Sequence, residues 1–113
     1  MVGATIGDRL DHILRSIAKI EGYWVGGTYG TFTTNEPLRA ATERHLLVIA
    51  EAAKHIPDAE KAAASQIEWR AVIGLGNILR HGYDIIDDRR IWDVVQLDLP
   101  TLKTAIEAMR RKY

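Results

Sequence analysis

The sequence predicts an all-α fold, an antiparallel up-and-down bundle of four to five helices, and three observations carry that prediction. Apolar residues recur at steps of three and four along almost the whole chain. No stretch alternates apolar and polar residues as a half-buried strand would. Glycine, proline and small polar residues gather at a few points that separate the periodic stretches. The first periodic stretch runs from about Thr5 to the glycines of "GYWVGGTYG". It places Ile6, Leu10, Ile13, Ile17, Ile20 and Trp24 on one face, and Gly26, Gly27 and Gly30 end it. "TYGTFTTNEP" reads as a connecting loop, after which Thr34 or Asn35 caps a second helix with Pro37 in its first turn. The buried stripe of that helix is Leu38, Thr42, Leu46, Ile49, Ala53 and Ile56. "HIPDAEKAAAS" turns the chain, with room for a short helix. A third helix covers roughly Ile67 to Arg80, with Val72, Leu75 and Leu79 facing inward. Asp87 or Asp88 starts a fourth, with the stripe Ile91, Val95, Leu99, Leu102, Ile106 and Met109. Pro100 kinks that helix or opens a separate segment, because proline lacks the amide donor of a mid-helix hydrogen bond. Arg110, Arg111 and Lys112 suit the negative end of its dipole.

A chain of 113 residues makes one domain, spanning 1–113. Fifteen basic residues balance fifteen acidic ones, so no global field draws the molecule to nucleic acid or to a membrane, and any such contact has to be local. The absence of cysteine removes disulfides, thiol catalysis and thiolate metal sites together. The longest strongly apolar run, "LLVIA" at 46–50, is far short of a membrane span, and "MVGATIGDRL" lacks the apolar core of a signal peptide. A cytoplasmic location without membrane association is therefore expected.

Chemistry concentrates in "GNILRHGYD", residues 76–84, at the end of the third helix. At 100° per residue, Arg70, Asn77, His81 and Asp84 share one stripe, and Gly76, Arg80 and Tyr83 form the stripe beside it. Gly74 and Gly76 each cost about 1 kcal/mol of helix propensity relative to alanine, which close approach of another backbone or a ligand would offset. An imidazole that titrates near neutrality can move a proton, and a guanidinium can stabilise charge on a phosphoryl group. Such a pair suits RNA cleavage by attack of a ribose 2′-hydroxyl on the adjacent phosphate, a reaction that needs neither a metal nor a cofactor. The same pair at a helix end also serves for capping or salt bridging.

Other constellations read more simply as structure. Glu43, Glu51 and His55 lean to one side of the second helix, and His81, Asp84 and Asp87 are spaced like ligands. A salt-bridged face explains the first set and helix capping by Asp87 the second, so no metal site is expected. Trp69 and Trp92 could stack on bases, but their helical spacing makes them core or interface anchors. Arg89 and Arg90 could extend a basic rim toward RNA, as could Arg70, although Asp87, Asp88 and Asp93 are near enough to neutralise the first two.

The stretch "W-R-x-x-x-G-L-G-N-I-L-R-H-G-Y-D-I-I-D-x-x-x-I-W" resembles the signature of the HepT-like branch of the HEPN superfamily. "RLDHILRSIAKIEGY", "AATERHLLVIAEAAKHIP" and "IWDVVQLDLPTLKTAI" extend the similarity over nearly the whole chain. The resemblance implies an HEPN-like bundle and a homodimeric toxin that cleaves RNA. It further implies a type VII-like toxin–antitoxin pairing, with an MNT-type nucleotidyltransferase antitoxin that silences the toxin by transferring AMP to the motif tyrosine. Carried over by position, it makes His81 the catalytic imidazole, Tyr83 the AMP-modified, site-lining phenol, and Asn77 the polar residue after the motif arginine.

In the motif that arginine stands five residues before the histidine, and here the position is Gly76. Arg80 is the displaced replacement, although it projects about 100° from His81 around the helix. Arg70 lies on the right stripe but roughly 16 Å back along the axis. Two readings follow. One is a metal-independent endoribonuclease that uses His81, Arg80 and Asn77. The other is a non-catalytic helical partner or acceptor subunit of a nucleotidyltransferase.

Overall fold

The computed structural model describes residues 5–82 and 87–113. Tyr83 and Asp84, both singled out above, lie outside the described residues. Four long helices form the body: α1 (Ile6–Tyr23), α3 (Glu36–Lys54), α5 (Trp69–His81) and α7 (Leu99–Arg110). Shorter helical segments, α2 (Tyr29–Thr34), α4 (Asp58–Ala63) and α6 (Asp88–Asp93), connect them.

Local chemistry sets the boundaries. Thr5 and Asp8 cap α1 reciprocally: the Thr5 hydroxyl accepts from the Asp8 amide at 3.0 Å, and the Asp8 carboxylate accepts from the Thr5 amide at 2.9 Å. After the helix ends at Trp24, Gly26 adopts a φ of +68°, open to glycine at little steric cost. The expected loop "TYGTFTTNEP" is in part the helix α2. Thr28 and Thr31 cap each other there, and Phe32 is buried, which offsets the poor helix propensity of Gly30 and the threonines. The Asn35 side chain then accepts from the Leu38 amide at 3.1 Å to start α3, with Pro37 in the first turn. Asp87 does the same for α6, accepting from the Arg90 amide at 2.7 Å.

The expected fourth helix is α6 and α7 joined by a π-helical turn, Val94–Asp98. Pro100 stands just beyond that turn, at the start of α7. Having no amide hydrogen, it leaves an α-type bond unmade, and the widened register ahead of it accommodates the loss.

Leu10, Ile13, Ile17 and Ile20 of α1 are wholly buried against Leu46 and Ile49 of α3 and Leu102 and Ile106 of α7. Burial of each such side chain is worth about 1.5–3 kcal/mol. Trp24, Phe32 and Trp92 form an aromatic cluster with ring centroids 4.9–5.9 Å apart. The Trp24 indole N–H donates to the Thr42 hydroxyl at 2.8 Å, and that hydroxyl donates to the Leu38 carbonyl at 2.7 Å. Lys103 pairs with Glu21 and Arg110 with Asp11, so α7 runs antiparallel to α1. The Arg110 guanidinium also holds the Asp11 carboxyl below the usual carboxylate range. α5 packs along α3.

Candidate active site

Gly76 fixes the approach of α5 to α3. A β-carbon built on it would stand 2.6 Å from the Ala50 β-carbon, and Ala50 is itself buried at 3% exposure. The two helices meet where α5 has no side chain, and this contact offsets the propensity cost of the glycine. Gly74, by contrast, has nothing within 4 Å of its ideal β-carbon. One turn beyond Gly76, Arg80 lies over α3 and forms an ion pair with Glu51. Its other terminal nitrogen donates to the Asn77 side-chain oxygen at 2.8 Å. Asn77 and Glu51 thus hold the guanidinium from two helices, which limits the rotamers that a long arginine side chain would otherwise sample. His81 follows on the last turn of α5 and is exposed. The Gly82 amide closes the helix on the Ile78 carbonyl at 2.7 Å.

The remaining expected site residues are distributed over several surfaces. Arg70 and Asn77 border a shallow groove of about 500 Å³ beside Gly74, with Asp58 and Lys61 of α4 on the opposite wall. Arg89 lies over the Tyr29 ring, 4.9 Å from its centroid, and pairs with Asp93 at 3.3 Å. Arg90 edges a different, mainly apolar cleft of about 270 Å³ that includes Leu46, Val72 and Leu99. Neither α6 arginine lines the groove that Arg80 borders with Arg44 and Glu51. The Trp69 indole N–H is shared by the Lys61 and Ala64 carbonyls at 3.0 and 3.1 Å, which anchors α4, and Trp92 belongs to the aromatic cluster. The trio Glu43, Glu51 and His55 divides. Glu51 holds Arg80, while burial, with Asp88 adding to it, pushes the Glu43 carboxyl up.

Two features of this face were not legible in the sequence. Arg9 and His12 of α1, Arg44 and Glu51 of α3, and Arg80 of α5 line one groove of about 320 Å³. Beside it, His45 bridges α1 and α3: its Nε2 is 3.1 Å from the Tyr23 hydroxyl and its Nδ1 3.2 Å from the Ser16 hydroxyl. Burial pushes the His45 imidazole below its usual pKa, and the charges of Lys19 and Arg44 act in the same direction. Arg9, His12, Ser16, Lys19 and Tyr23 follow one another at steps of three and four, so the stripe was present in the sequence. Its pairing with Arg44 and His45 depends on which helix packs alongside.

Comparison with known proteins agrees with the family resemblance. The family model described as "Ribonuclease HepT-like" matches residues 13–109. The chain is 32% identical over 104 residues to "Probable ribonuclease HepT" of Thermococcus cleftensis, covering 92% of this chain and 94% of that protein. It is 34% identical over 79 residues to "Putative RNase MJ1380" of Methanocaldococcus jannaschii, covering 70% and 72%. It is 26% identical over 103 residues to "Putative RNase TTE0752" of Caldanaerobacter subterraneus, covering 91% and 92%. No solved structure matches. With a family model spanning most of its length and a relative of this identity aligned almost end to end, the chain belongs to the HepT-like ribonuclease family of the HEPN superfamily.

Proposed function

We propose that the protein is a metal-independent endoribonuclease that acts as a homodimer, with His81 and Arg80 as its reacting pair. The observation that carries this reading is the placement of Arg80. It adjoins His81 in the chain and is held by Asn77 and Glu51, on a helix whose usual arginine position is occupied by a packing glycine.

In this reaction a 2′-hydroxyl loses its proton to a base and its oxygen attacks the adjacent phosphorus. The bond from phosphorus to the 5′-oxygen breaks, and that oxygen leaves as a hydroxyl after taking a proton from an acid. The products are a 2′,3′-cyclic phosphate and a 5′-hydroxyl end. One imidazole acts as base and a second as acid, and His81 of a second copy would supply the partner proton transfer across a dimer axis. Arg80 stabilises the extra negative charge on the phosphoryl oxygens as phosphorus becomes five-coordinate. Asn77 acts through Arg80 by orienting its guanidinium.

Regulation follows the family resemblance: Tyr83, two residues after His81, receives AMP from an MNT-type nucleotidyltransferase antitoxin in a type VII-like toxin–antitoxin pair. The second reading, a non-catalytic acceptor subunit, is favoured by one observation. Glu51 already neutralises much of the Arg80 charge.

Cleavage of a mixed RNA in EDTA by AMP-free protein, with His81→Ala alongside, tests the proposal. Cleavage that leaves cyclic phosphate ends and disappears in His81→Ala is expected. Equal products from both proteins, or none from either, would overturn the enzyme reading in favour of the acceptor subunit. Tyr83→Phe then separates modification from catalysis, since it abolishes AMP transfer in either case.

A further inference from the structure

A neutral molecule carries one markedly basic groove on the face where α1, α3 and α5 meet. Arg9, His12, Arg44 and Arg80 line it from three helices, and Glu51 is the acidic residue among them. Lys19 continues the line along α1, ten residues or about 15 Å from Arg9. Among the described residues, Arg9, Lys19 and Arg44 take part in no ion pair, whereas Arg39, Lys103 and Arg110 each have a carboxylate partner. Their charges are therefore available to a polyanion. Because helices packed on the main core hold them, their spacing is set before anything binds. Lys19 and Arg44 also lie near enough to His45 to disfavour its charged form, which shows that positive charge converges on this face.

We propose that this face is a phosphate-backbone track for single-stranded RNA, running from Arg80 through Arg9, His12 and Arg44 toward Lys19. The inference rests on the ribonuclease reading above and extends it. Arg80 belongs both to the groove and to the candidate cleavage site, so a strand with one phosphate at Arg80 would lay its neighbours along α1. Fifteen ångströms spans a few nucleotides of single-stranded backbone. An acidic protein surface would meet the same charges, but only RNA accounts for the continuity between the track and the reacting pair. Contacts to phosphate position a strand without reading its bases, so the track contributes affinity and register but not sequence preference.

The test is binding of a fluorescently labelled single-stranded RNA to His81→Ala protein, followed by anisotropy across a potassium chloride series. Arg9→Gln/Arg44→Gln in that background is expected to weaken binding by about tenfold and to reduce the salt slope by about 1.4, at roughly 0.7 per lost contact on a single strand. Lys103→Gln, on α7 and paired with Glu21 on another side of α1, is expected to leave both unchanged, and circular dichroism confirms that each variant keeps its helices. If His81→Ala protein binds RNA and the unsubstituted protein cleaves it, yet the double variant shows an unaltered slope, the track is overturned and the ribonuclease reading stands. If neither binding nor cleavage occurs, both fall. Loss of polyglutamate binding with RNA binding intact would assign the groove to an acidic protein surface and overturn the RNA proposal.

Discussion

Substituting alanine at Gly76 adds one methyl group where α5 meets α3, and the structure sets the size of the penalty. Replacing a helical glycine normally gains about 0.5–1 kcal/mol, because the unfolded chain loses conformational freedom. Here the new carbon would stand 2.6 Å from the Ala50 β-carbon, so the helices must part by on the order of 1 Å to restore ordinary contact. Overpacking of that kind costs about 1–3 kcal/mol. The net expectation is a loss of about 1–2 kcal/mol, or a fall in melting temperature of roughly 5–10 °C for a domain of this size. Gly74 is the internal reference, because its β-carbon would meet nothing, and Gly74→Ala should stabilise by up to about 1 kcal/mol. Urea and thermal unfolding followed by circular dichroism compare the two. Removing the opposing carbon with Ala50→Gly should turn Gly76→Ala from destabilising to stabilising, a coupling of about 1–3 kcal/mol in a double-mutant cycle. Equal stabilisation by Gly74→Ala and Gly76→Ala would refute the packing argument. It would also remove the physical reason for an arginine at 80 rather than at 76.

Three further outcomes are expected. His45 is held below its usual pKa, so between that lowered value and about 6.5 the unfolded chain binds a proton that the folded chain does not. Its contribution to stability is therefore complete above that window and is lost as pH falls through it, and His45→Gln should flatten this part of a plot of urea midpoint against pH. Thr42→Val removes the acceptor of the buried Trp24 indole N–H and should cost about 1–3 kcal/mol by urea unfolding, while Thr42→Ser, which keeps the acceptor, should cost less. Glu51→Gln removes the negative partner of Arg80 and should tighten RNA binding severalfold at low salt. Binding that stays constant would mean that Arg80 does not face the nucleic acid.

The faces of the long helices were legible because burial imposes a period that few other constraints imitate. All six residues assigned to the last stripe, Ile91 to Met109, are buried. α2 was hidden because Gly30 and its threonines lower helix propensity, and reciprocal threonine caps with one buried phenylalanine outweigh that locally. The two glycines of α5 looked equivalent in sequence, and only the position of Ala50 separates them. Arg9 and Arg44 are 35 residues apart and on different helices, so they acquire a joint meaning only once α1 lies beside α3. Charged residues at surface spacing otherwise read as a solvated face.

The π-helical turn between α6 and α7 gives chain length the standing of a packing residue. Ile91, Val95 and Leu99 follow at steps of four, which in an ordinary helix would drift about 40° per step away from the core. The wider turn absorbs that drift, so Leu102, Ile106 and Met109 still meet α1 and the rest of the interior. Conversion of this turn to regular α-helix at unchanged length would rotate α7 by about 100° relative to α6 and present a different side of it to the core, whereas loss of one residue from 94–98 together with that conversion would leave both faces in place. Among relatives, a segment one residue shorter here should be regular α-helix with the last helix docked as in this chain. A one-residue gap placed there in an alignment would mark loss of the wide turn, and the last helix would dock as before.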